Sequence, residues 1–162
     1  MSVQWPVLHM ICGKIGSGKS TLATNLAQAP RTVLVSQDRW MAALYPDELK
    51  TIDDYKRLVP RFYAVMGPHL SDVLRAGLSV VLDFPANTIA NRAWMRGIFE
   101  AANAAHILHV LDTPDDLCWE RLQARNASGK HEYQVTREEF DAFTRYFQPP
   151  TPDEGFKTVR HA

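Results

Sequence analysis

Short apolar runs alternate with longer segments of mixed polar and apolar residues along this chain. The first run, residues 7–12, is followed at once by a glycine-rich stretch, as expected for a strand buried on both faces of a parallel sheet. Three further runs have the same character, and a short fifth run comes after the last helical segment. The predicted strands are residues 7–12, 33–35, 80–82, 107–111 and 156–159.

The segments between these runs carry helical patterns, so strands and helices alternate along the chain. Alternation of this kind predicts an α/β fold with a parallel five-stranded sheet and helices on both faces. Pro60 and the Gly67-Pro68 pair interrupt the longest segment, which we therefore predict to form two or three helical pieces. Thr113 and Thr136 each stand three residues before a carboxylate and are predicted helix caps. The predicted helices are residues 21–28, 55–76, 89–104, 115–127 and 137–147.

Length and composition narrow the class of protein. The 162 residues suffice for one compact domain, predicted here to span residues 1–162, and 46% hydrophobic with 22% charged residues is typical of a globular protein. Eighteen Lys and Arg residues balance 18 Asp and Glu residues, so no overall positive field favours nucleic acid or an anionic membrane. Nucleic acid is therefore disfavoured as a partner, and a monomer or a homodimer is expected.

The sequence pattern also bears on the cellular location. Trp5-Pro6 stands where a signal peptide would carry positive charge, and no apolar run approaches the ~20 residues that cross a bilayer. Cys12 and Cys118 have neither the spacing of a metal site nor that of a disulfide framework. A reducing, cytoplasmic location is the expectation.

The glycine-rich stretch after the first strand fits G-x-x-x-x-G-K-[ST], the Walker A pattern of a P-loop, from Gly13 to Ser20. It lies between a predicted strand and a predicted helix, where backbone N–H groups at a helix N-terminus can surround phosphates. The glycines allow a tight turn, the Lys19 ammonium can reach the outer phosphates, and the Ser20 hydroxyl can ligate magnesium. The dinucleotide pattern G-x-G-x-x-G is not met, because Thr21 stands in its last position. The predicted nucleotide-binding residues of this stretch are Gly13, Lys14, Ile15, Gly16, Ser17, Gly18, Lys19, Ser20 and Thr21.

Two aspartates follow predicted strands on the edge that carries this loop. Asp38 comes after the second strand and is a candidate general base that accepts a proton from an attacking hydroxyl, although a helix-start role is the alternative. Asp83 ends the third strand and could help Ser20 to hold magnesium. Capping of the following turn and contact with the acceptor substrate are the alternatives for Asp83.

Two arginines project from one face of the predicted helix 115–127, because Arg121 and Arg125 are four residues apart. A polar, glycine-containing stretch follows, and a mobile lid is predicted at about residues 125–137. Arginines at the base of a lid could bind the triphosphate and neutralise charge on the transferred phosphoryl group. A solvated helix face with Glu120 or Asp116 as the ion-pair partner is the alternative.

With these residues in place, the chain resembles the P-loop kinase group that includes phage-type polynucleotide 5′-kinase, chloramphenicol phosphotransferase, zeta-toxin kinases and AAA_33-type ATP-binding proteins. The likeness covers nearly the whole chain and is most specific to the AAA_33 type, at residues 81–85, 121–126 and 153–156. It implies a nucleoside-kinase-like P-loop NTPase fold. In that group the aspartate after the second strand is the general base and an R-x-x-x-R helix contacts ATP, which implies those roles for Asp38, Arg121 and Arg125.

The chain departs from the polynucleotide kinases at one position. Those kinases carry a second arginine three residues after the catalytic aspartate, where this chain has Met41. With Trp40 and Met41 beside Asp38, the acceptor pocket is predicted to suit an apolar or small hydroxylated molecule better than a nucleic-acid end.

The sequence therefore predicts a kinase that uses Mg²⁺ and ATP to phosphorylate a hydroxyl of a small molecule. Lys19, Asp38 and Arg125 are the predicted catalytic residues, and Ser20 and Asp83 are the predicted magnesium ligands. One rival is a polynucleotide 5′-hydroxyl kinase. Another is a nucleotide-binding module that hydrolyses ATP slowly or not at all.

Overall fold

The computed structural model of the protein describes residues 5–129 and 134–161. Within those residues, strands and α-helices alternate as predicted. The strands are β1 Val7–Cys12, β2 Thr32–Ser36, β3 Ser79–Pro85, β4 Ala105–Leu111 and β5 Thr158–His161. The helices are α1 Lys19–Leu26, α2 Gln37–Leu44, α3 Ile52–Arg75, α4 Ile89–Ala101, α5 Asp115–Ser128 and α6 Arg137–Tyr146, with a 3₁₀ turn at Pro152–Glu154.

The five strands form one parallel sheet in the order β2-β3-β1-β4-β5. This order confirms the predicted parallel α/β fold and places β1 at the centre of the sheet. Because all strands run in the same direction, the residues that follow β1, β2 and β3 emerge at one edge. That edge therefore collects the glycine-rich loop, Asp38 and Asp83.

Helices cover both faces of the sheet, as predicted. On one face, Leu8, Met10 and Leu82 belong to the main core, to which α3 and α4 contribute. On the other face, Ile11 and Val81 pack with residues of α1. The central strands thus bury side chains on both sides, which explains why their sequences are continuous apolar runs.

The longest helix, α3, corrects the prediction of separate helical pieces, since it is continuous through Pro60 and Pro68. Both prolines lie on the exposed side, so water can reach the carbonyl groups that lose their helical partner. Burying an apolar side chain stabilises by roughly 1.5–3 kcal/mol, and the five on the opposite side together exceed the ~3 kcal/mol cost of each proline. Those five are Leu58, Phe62, Met66, Leu70 and Leu74.

No helix in the described ranges is both long and apolar enough to cross a membrane.

A row of three histidines crosses β1, β4 and β5. His9 Nδ1 lies 3.0 Å from His109 Nε2, and His109 Nδ1 lies 2.9 Å from His161 Nε2. His109 is buried, and both of its ring nitrogens are engaged by neighbouring rings. Burial lowers the pKa of His109 to about 4, and the adjoining His9 and His161 rings add to the shift. His109, in the middle of the row, is therefore uncharged and hydrogen-bonded on both sides at neutral pH.

Lowering the pH from 7 to 5 is expected to reduce the free energy of unfolding through this row. An unfolded histidine gains its proton near pH 6.5, whereas folded His109 resists protonation until about pH 4. The stabilisation present above pH 6.5 is thus lost as the pH falls toward 4. We expect a loss on the order of 2 kcal/mol between pH 7 and 5, measured by urea denaturation.

Two variants isolate this contribution. His109→Gln should reduce the slope between pH 7 and 5 without abolishing it, because burial also lowers the pKa values of His9 and His106. His69→Gln, at an exposed position of α3, should keep the full slope. A slope that is the same in His109→Gln as in the wild type would assign the pH dependence to other groups.

Candidate functional site

The loop between β1 and α1 leads into an open helix N-terminus. Gly18 is the N-cap of α1, and no described side chain caps this helix, so its first N–H groups are left for another acceptor. Gly16 and Gly18 have positive φ angles of 80° and 99°, a backbone region that residues with side chains rarely adopt. The buried Ser17 hydroxyl has no hydrogen-bond partner among residues 5–129 and 134–161. Unpaired donors at a helix start are suited to binding an anion such as phosphate.

Helix α5 packs closely against this loop. A Cβ atom added to Gly16 would lie 2.4 Å from the backbone oxygen of Cys118. The Thr113 hydroxyl and Arg121 Nη1 both donate to the carbonyl oxygen of Ser17, over 3.1 Å and 3.2 Å. Since α5 begins without a side-chain cap, the predicted cap at Thr113 is wrong. Its hydroxyl is directed to the loop instead, and the loop and α5 therefore constrain each other.

The Lys19 side chain lies along the loop. Its Nζ donates to the carbonyl oxygens of Gly13, over 2.7 Å, and Lys14, over 3.2 Å. Burial lowers the pKa of this ammonium, and the nearby Asp83 and Asp38 carboxylates oppose that shift. Because neutral carbonyls are weaker partners than phosphate oxygens, the ammonium can exchange them when a nucleotide binds.

Ser20 and Asp83 lie together at the start of α1, with Ser20 Oγ donating to Asp83 Oδ2 over 2.8 Å. Burial raises the pKa of Asp83, while the Ser20 hydrogen bond and Lys19 act in the opposite direction. Within the described ranges, no group of three or more His, Cys, Asp and Glu side chains forms a metal site. The pair does fit magnesium, which takes oxygen ligands and is commonly bound by one or two protein groups with phosphate and water oxygens.

Asp38 stands in the first turn of α2, a short helix that was not among the predicted ones. Ser36 caps this helix through its side chain. The Asp38 carboxylate is exposed, so a substrate can reach it from solvent. Its negative charge acts to raise the pKa values of Lys19 and Asp83, and it also acts to raise that of Arg125. The fold thus brings residues from β3, α1, α2 and α5 into one electrostatic group.

The two arginines of α5 differ in their surroundings. Arg125 is half-buried, and its Nε has no hydrogen-bond partner in the described part of the chain. Burial lowers the pKa of Arg125, and the charge of Asp38 opposes that shift. Arg121 is exposed and contacts the loop. Among residues 5–129 and 134–161 neither arginine forms an ion pair, so Glu120 and Asp116 are not the partners considered as an alternative.

The predicted lid, residues 125–137, lies between α5 and α6. Residues 130–133 are outside the described residues, and the lid stays a prediction. At its far end the predicted cap Thr136 is confirmed, since its hydroxyl accepts from the N–H of Glu139. Lys14 of the loop forms an ion pair with Asp115 at the start of α5, at the end of that helix away from the lid. The loop residue Ile15 packs against an apolar cluster of Cys118, Leu122, Val135 and Phe140.

The position of Met41 shows that the prediction of this residue in the acceptor pocket is wrong. It was expected beside the acceptor, but it is only 1% exposed and belongs to the main core. Met41 and Gln37 are one helical turn apart and share the buried face of α2. Trp40 is 42% exposed and remains available to a ligand.

Sequence reasoning missed the contact that Asn87 makes with the loop and the buried ion pair of Arg92, and both shape this edge of the sheet. Asn87 Oδ1 accepts from the N–H of Gly13 over 3.0 Å, which ties the β3–α4 connection to the loop. Arg92 is fully buried, forms a 2.8 Å ion pair with Glu154 and donates to the carbonyl oxygen of Ala86. A polar residue shortly after a buried strand was a signal for Asn87. No local signal pairs Arg92 with a carboxylate so far along the chain.

Comparison with known proteins identifies a sequence family and structures of similar fold. The sequence profile of the AAA domain family AAA_33 matches residues 8–150, and no curated protein matches the chain significantly. A structure from Chloroflexus aurantiacus, described as that of a candidate kinase, has a TM-score of 0.75 at 22% identity over 98% of this chain and 87% of that chain. Chaetomium thermophilum Kti12 in complex with ADP-AlF3 has a TM-score of 0.73 at 15% identity, with coverages of 97% and 89%. Mycobacterium tuberculosis APS kinase CysC in complex with AMPPNP and APS has a TM-score of 0.58 at 20% identity, with coverages of 96% and 88%.

Proposed function

The chain belongs to the AAA_33 family of AAA domains, within the P-loop kinase superfamily, and from this we propose that it is a Mg²⁺- and ATP-dependent phosphotransferase. It would move the γ-phosphate of ATP to a hydroxyl group of a small-molecule acceptor. Membership of the family indicates a nucleotide-binding, kinase-type function. The class of acceptor and the role of each residue are our proposal.

The observation that carries the proposal is the charge arrangement at the carboxyl edge of the sheet. The Asp38 carboxylate interacts electrostatically with Lys19 and Asp83, and also with Arg125. The uncapped N-terminus of α1 lies at the same edge. A site for phosphates and an exposed carboxylate are therefore neighbours, as phosphoryl transfer to a hydroxyl requires.

Each of these groups has a distinct chemical task in the proposed reaction. The loop N–H groups and Lys19 would bind phosphate oxygens and so fix the γ-phosphate relative to the acceptor. Asp38 would accept the proton of the acceptor hydroxyl as its oxygen bonds to the γ-phosphorus and the bond to the bridging oxygen breaks, which leaves ADP. Arg125, where partial burial reduces screening by water, would stabilise the negative charge on the transferred group.

The nucleotide and magnesium contacts complete the assignment. Ser20 and Asp83 would hold magnesium, which when bound neutralises charge on the phosphates. Residues 13–21 and Arg121 would make the remaining nucleotide contacts. Residues 125–137 would close over the bound nucleotide as a lid.

A small acceptor is favoured by the charge of the chain and by the surroundings of Asp38. The formal net charge of +0 supplies no field to attract a polyanion. Trp40, two residues after Asp38 in α2, has an exposed indole that offers an apolar surface to a small molecule.

The direct test is transfer of labelled γ-phosphate from ATP with magnesium to a panel of small hydroxyl compounds and to a 5′-hydroxyl oligonucleotide. We expect labelled product with at least one small compound. Label found only on the oligonucleotide would move the acceptor to nucleic acid. ATP consumed without any labelled product would indicate a slow ATPase instead.

A further inference from the structure

Gln37, next to Asp38 in the first turn of α2, anchors a hydrogen-bonded network with two tyrosines of α3. Its side chain is only 1% exposed. The Tyr63 hydroxyl donates to Gln37 Oε1 over 2.7 Å, and Gln37 Nε2 donates to the hydroxyl oxygen of Tyr55. Both ends of this buried amide are satisfied, so the network fixes the first turn of α2, including Asp38, relative to α3.

The direction of these hydrogen bonds leaves one proton uncommitted. A phenol has one hydrogen to donate and accepts through its oxygen. Tyr63 donates its hydrogen to Gln37, whereas Tyr55 uses only its oxygen there. The Tyr55 hydrogen has no acceptor among the residues that the structure describes. A half-buried donor of this kind is complementary to an oxygen supplied from outside the protein.

Tyr55 also contacts the residue that directly precedes the proposed general base, because its hydroxyl oxygen accepts from Gln37. Burial raises the pKa of Tyr55 to about 12, and the negative charge of Asp38 contributes to that shift. At neutral pH the phenol therefore keeps its hydrogen. A hydrogen-bond donor and a proton acceptor that are neighbours complement two adjacent oxygens of one acceptor molecule.

We propose that Tyr55 is a specificity-determining residue and that the acceptor is a polyol with hydroxyl groups on adjacent carbons. Asp38 takes the proton of one hydroxyl, and Tyr55 donates a hydrogen bond to the oxygen beside it without giving up its proton. The inference rests on the proposed kinase function and adds the class of acceptor to it. An acceptor without the second oxygen leaves the Tyr55 donor unpaired, and sites built around such a hydrogen bond discriminate strongly.

The test uses acceptor pairs that differ in whether the neighbouring hydroxyl is present: ribose with 2-deoxyribose, and glycerol with propane-1,3-diol. With labelled ATP and magnesium, the wild type should show a kcat/KM that is about 10-fold or more higher for the member with adjacent hydroxyls. In Tyr55→Phe the ratio should fall to about one, chiefly through a higher KM for that member, with ATP affinity unchanged. Tyr63→Phe is the matched control, because it removes from the same network a hydroxyl whose hydrogen is already used. Its ratio should stay at the wild-type value.

The outcomes separate this inference from the function on which it rests. Transfer with a ratio near one in the wild type, or with the same ratio in Tyr55→Phe, overturns the acceptor contact and leaves the kinase function standing. A displaced acid limb of the pH–rate profile with an unchanged ratio shows that Tyr55 acts on Asp38, and it also overturns the contact. Absence of transfer to every hydroxyl compound by protein that binds ATP overturns the proposed function itself.

Discussion

Asp38→Asn is expected to lower phosphoryl transfer by about 10²–10⁴-fold while ATP still binds. Asparagine keeps the size and nearly the shape of the side chain, but it cannot accept the proton of the attacking hydroxyl. ATP affinity should rise slightly, because a negative charge near the phosphate site is removed. Initial rates with labelled ATP measure the first effect, and calorimetric titration with a non-hydrolysable ATP analogue measures the second. The loss should therefore appear in kcat.

The matched control is Asp47→Asn, the same chemical change at an exposed position of the turn that follows α2. Its transfer rate should equal that of the wild type, and thermal melting should be similar for both variants. Full transfer by Asp38→Asn would leave Asp38 with the helix-start role and would require another base.

The fold could be predicted from sequence where its signals are local. The buried strand Val7–Cys12 carries its own apolar run, and a parallel sheet buries such strands on both faces. Pro60 and Pro68 misled the prediction because a proline's effect depends on which side of the helix is buried, and that is set by distant residues. Helix α2 was missed for the same reason, since its eight residues are held by contacts of Gln37 with α3.

The candidate site likewise has parts that could be predicted from local sequence and parts that could not. The loop from Gly13 to Ser20 is specified by a short motif, because its backbone shape and its lysine are contiguous in sequence. The partner of a side chain, in contrast, is often far away in the sequence and cannot be found from a local motif. The Thr113 hydroxyl had a local use as a cap, yet it serves the loop 96 residues away. The pairing of Arg92 with Glu154 spans 62 residues and could be found only from the folded chain.

Gly16→Ala is expected to weaken ATP binding by about 100-fold or more, since each lost hydrogen bond to a charged phosphate oxygen costs about 1.5–3 kcal/mol. Gly16 has a φ of 80°, and forcing alanine into this region costs roughly 1–2 kcal/mol. The new Cβ would also meet the backbone oxygen of Cys118 at 2.4 Å. Backbone cannot rotate aside as a side chain can, so the loop must move and its N–H groups must leave their positions. Titration with a fluorescent ATP analogue measures the affinity.

Alanine substitutions at two further glycines distinguish the effect of backbone strain from that of the clash with Cys118. Gly18 has a similar φ of 99°, but the nearest atom to its added Cβ belongs to the flexible Arg121 side chain at 3.6 Å. Gly97, inside α4, has nothing within 4 Å of an added Cβ, so Gly97→Ala should keep ATP affinity and stabilise the helix by roughly 0.5–1 kcal/mol. The affinities should therefore fall from Gly97→Ala through Gly18→Ala to Gly16→Ala. Equal losses in the last two would mean that α5 does not shape the loop. Tight ATP binding by Gly16→Ala would place the phosphates elsewhere, because a loop displaced from Cys118 cannot keep its N–H groups on the same anion.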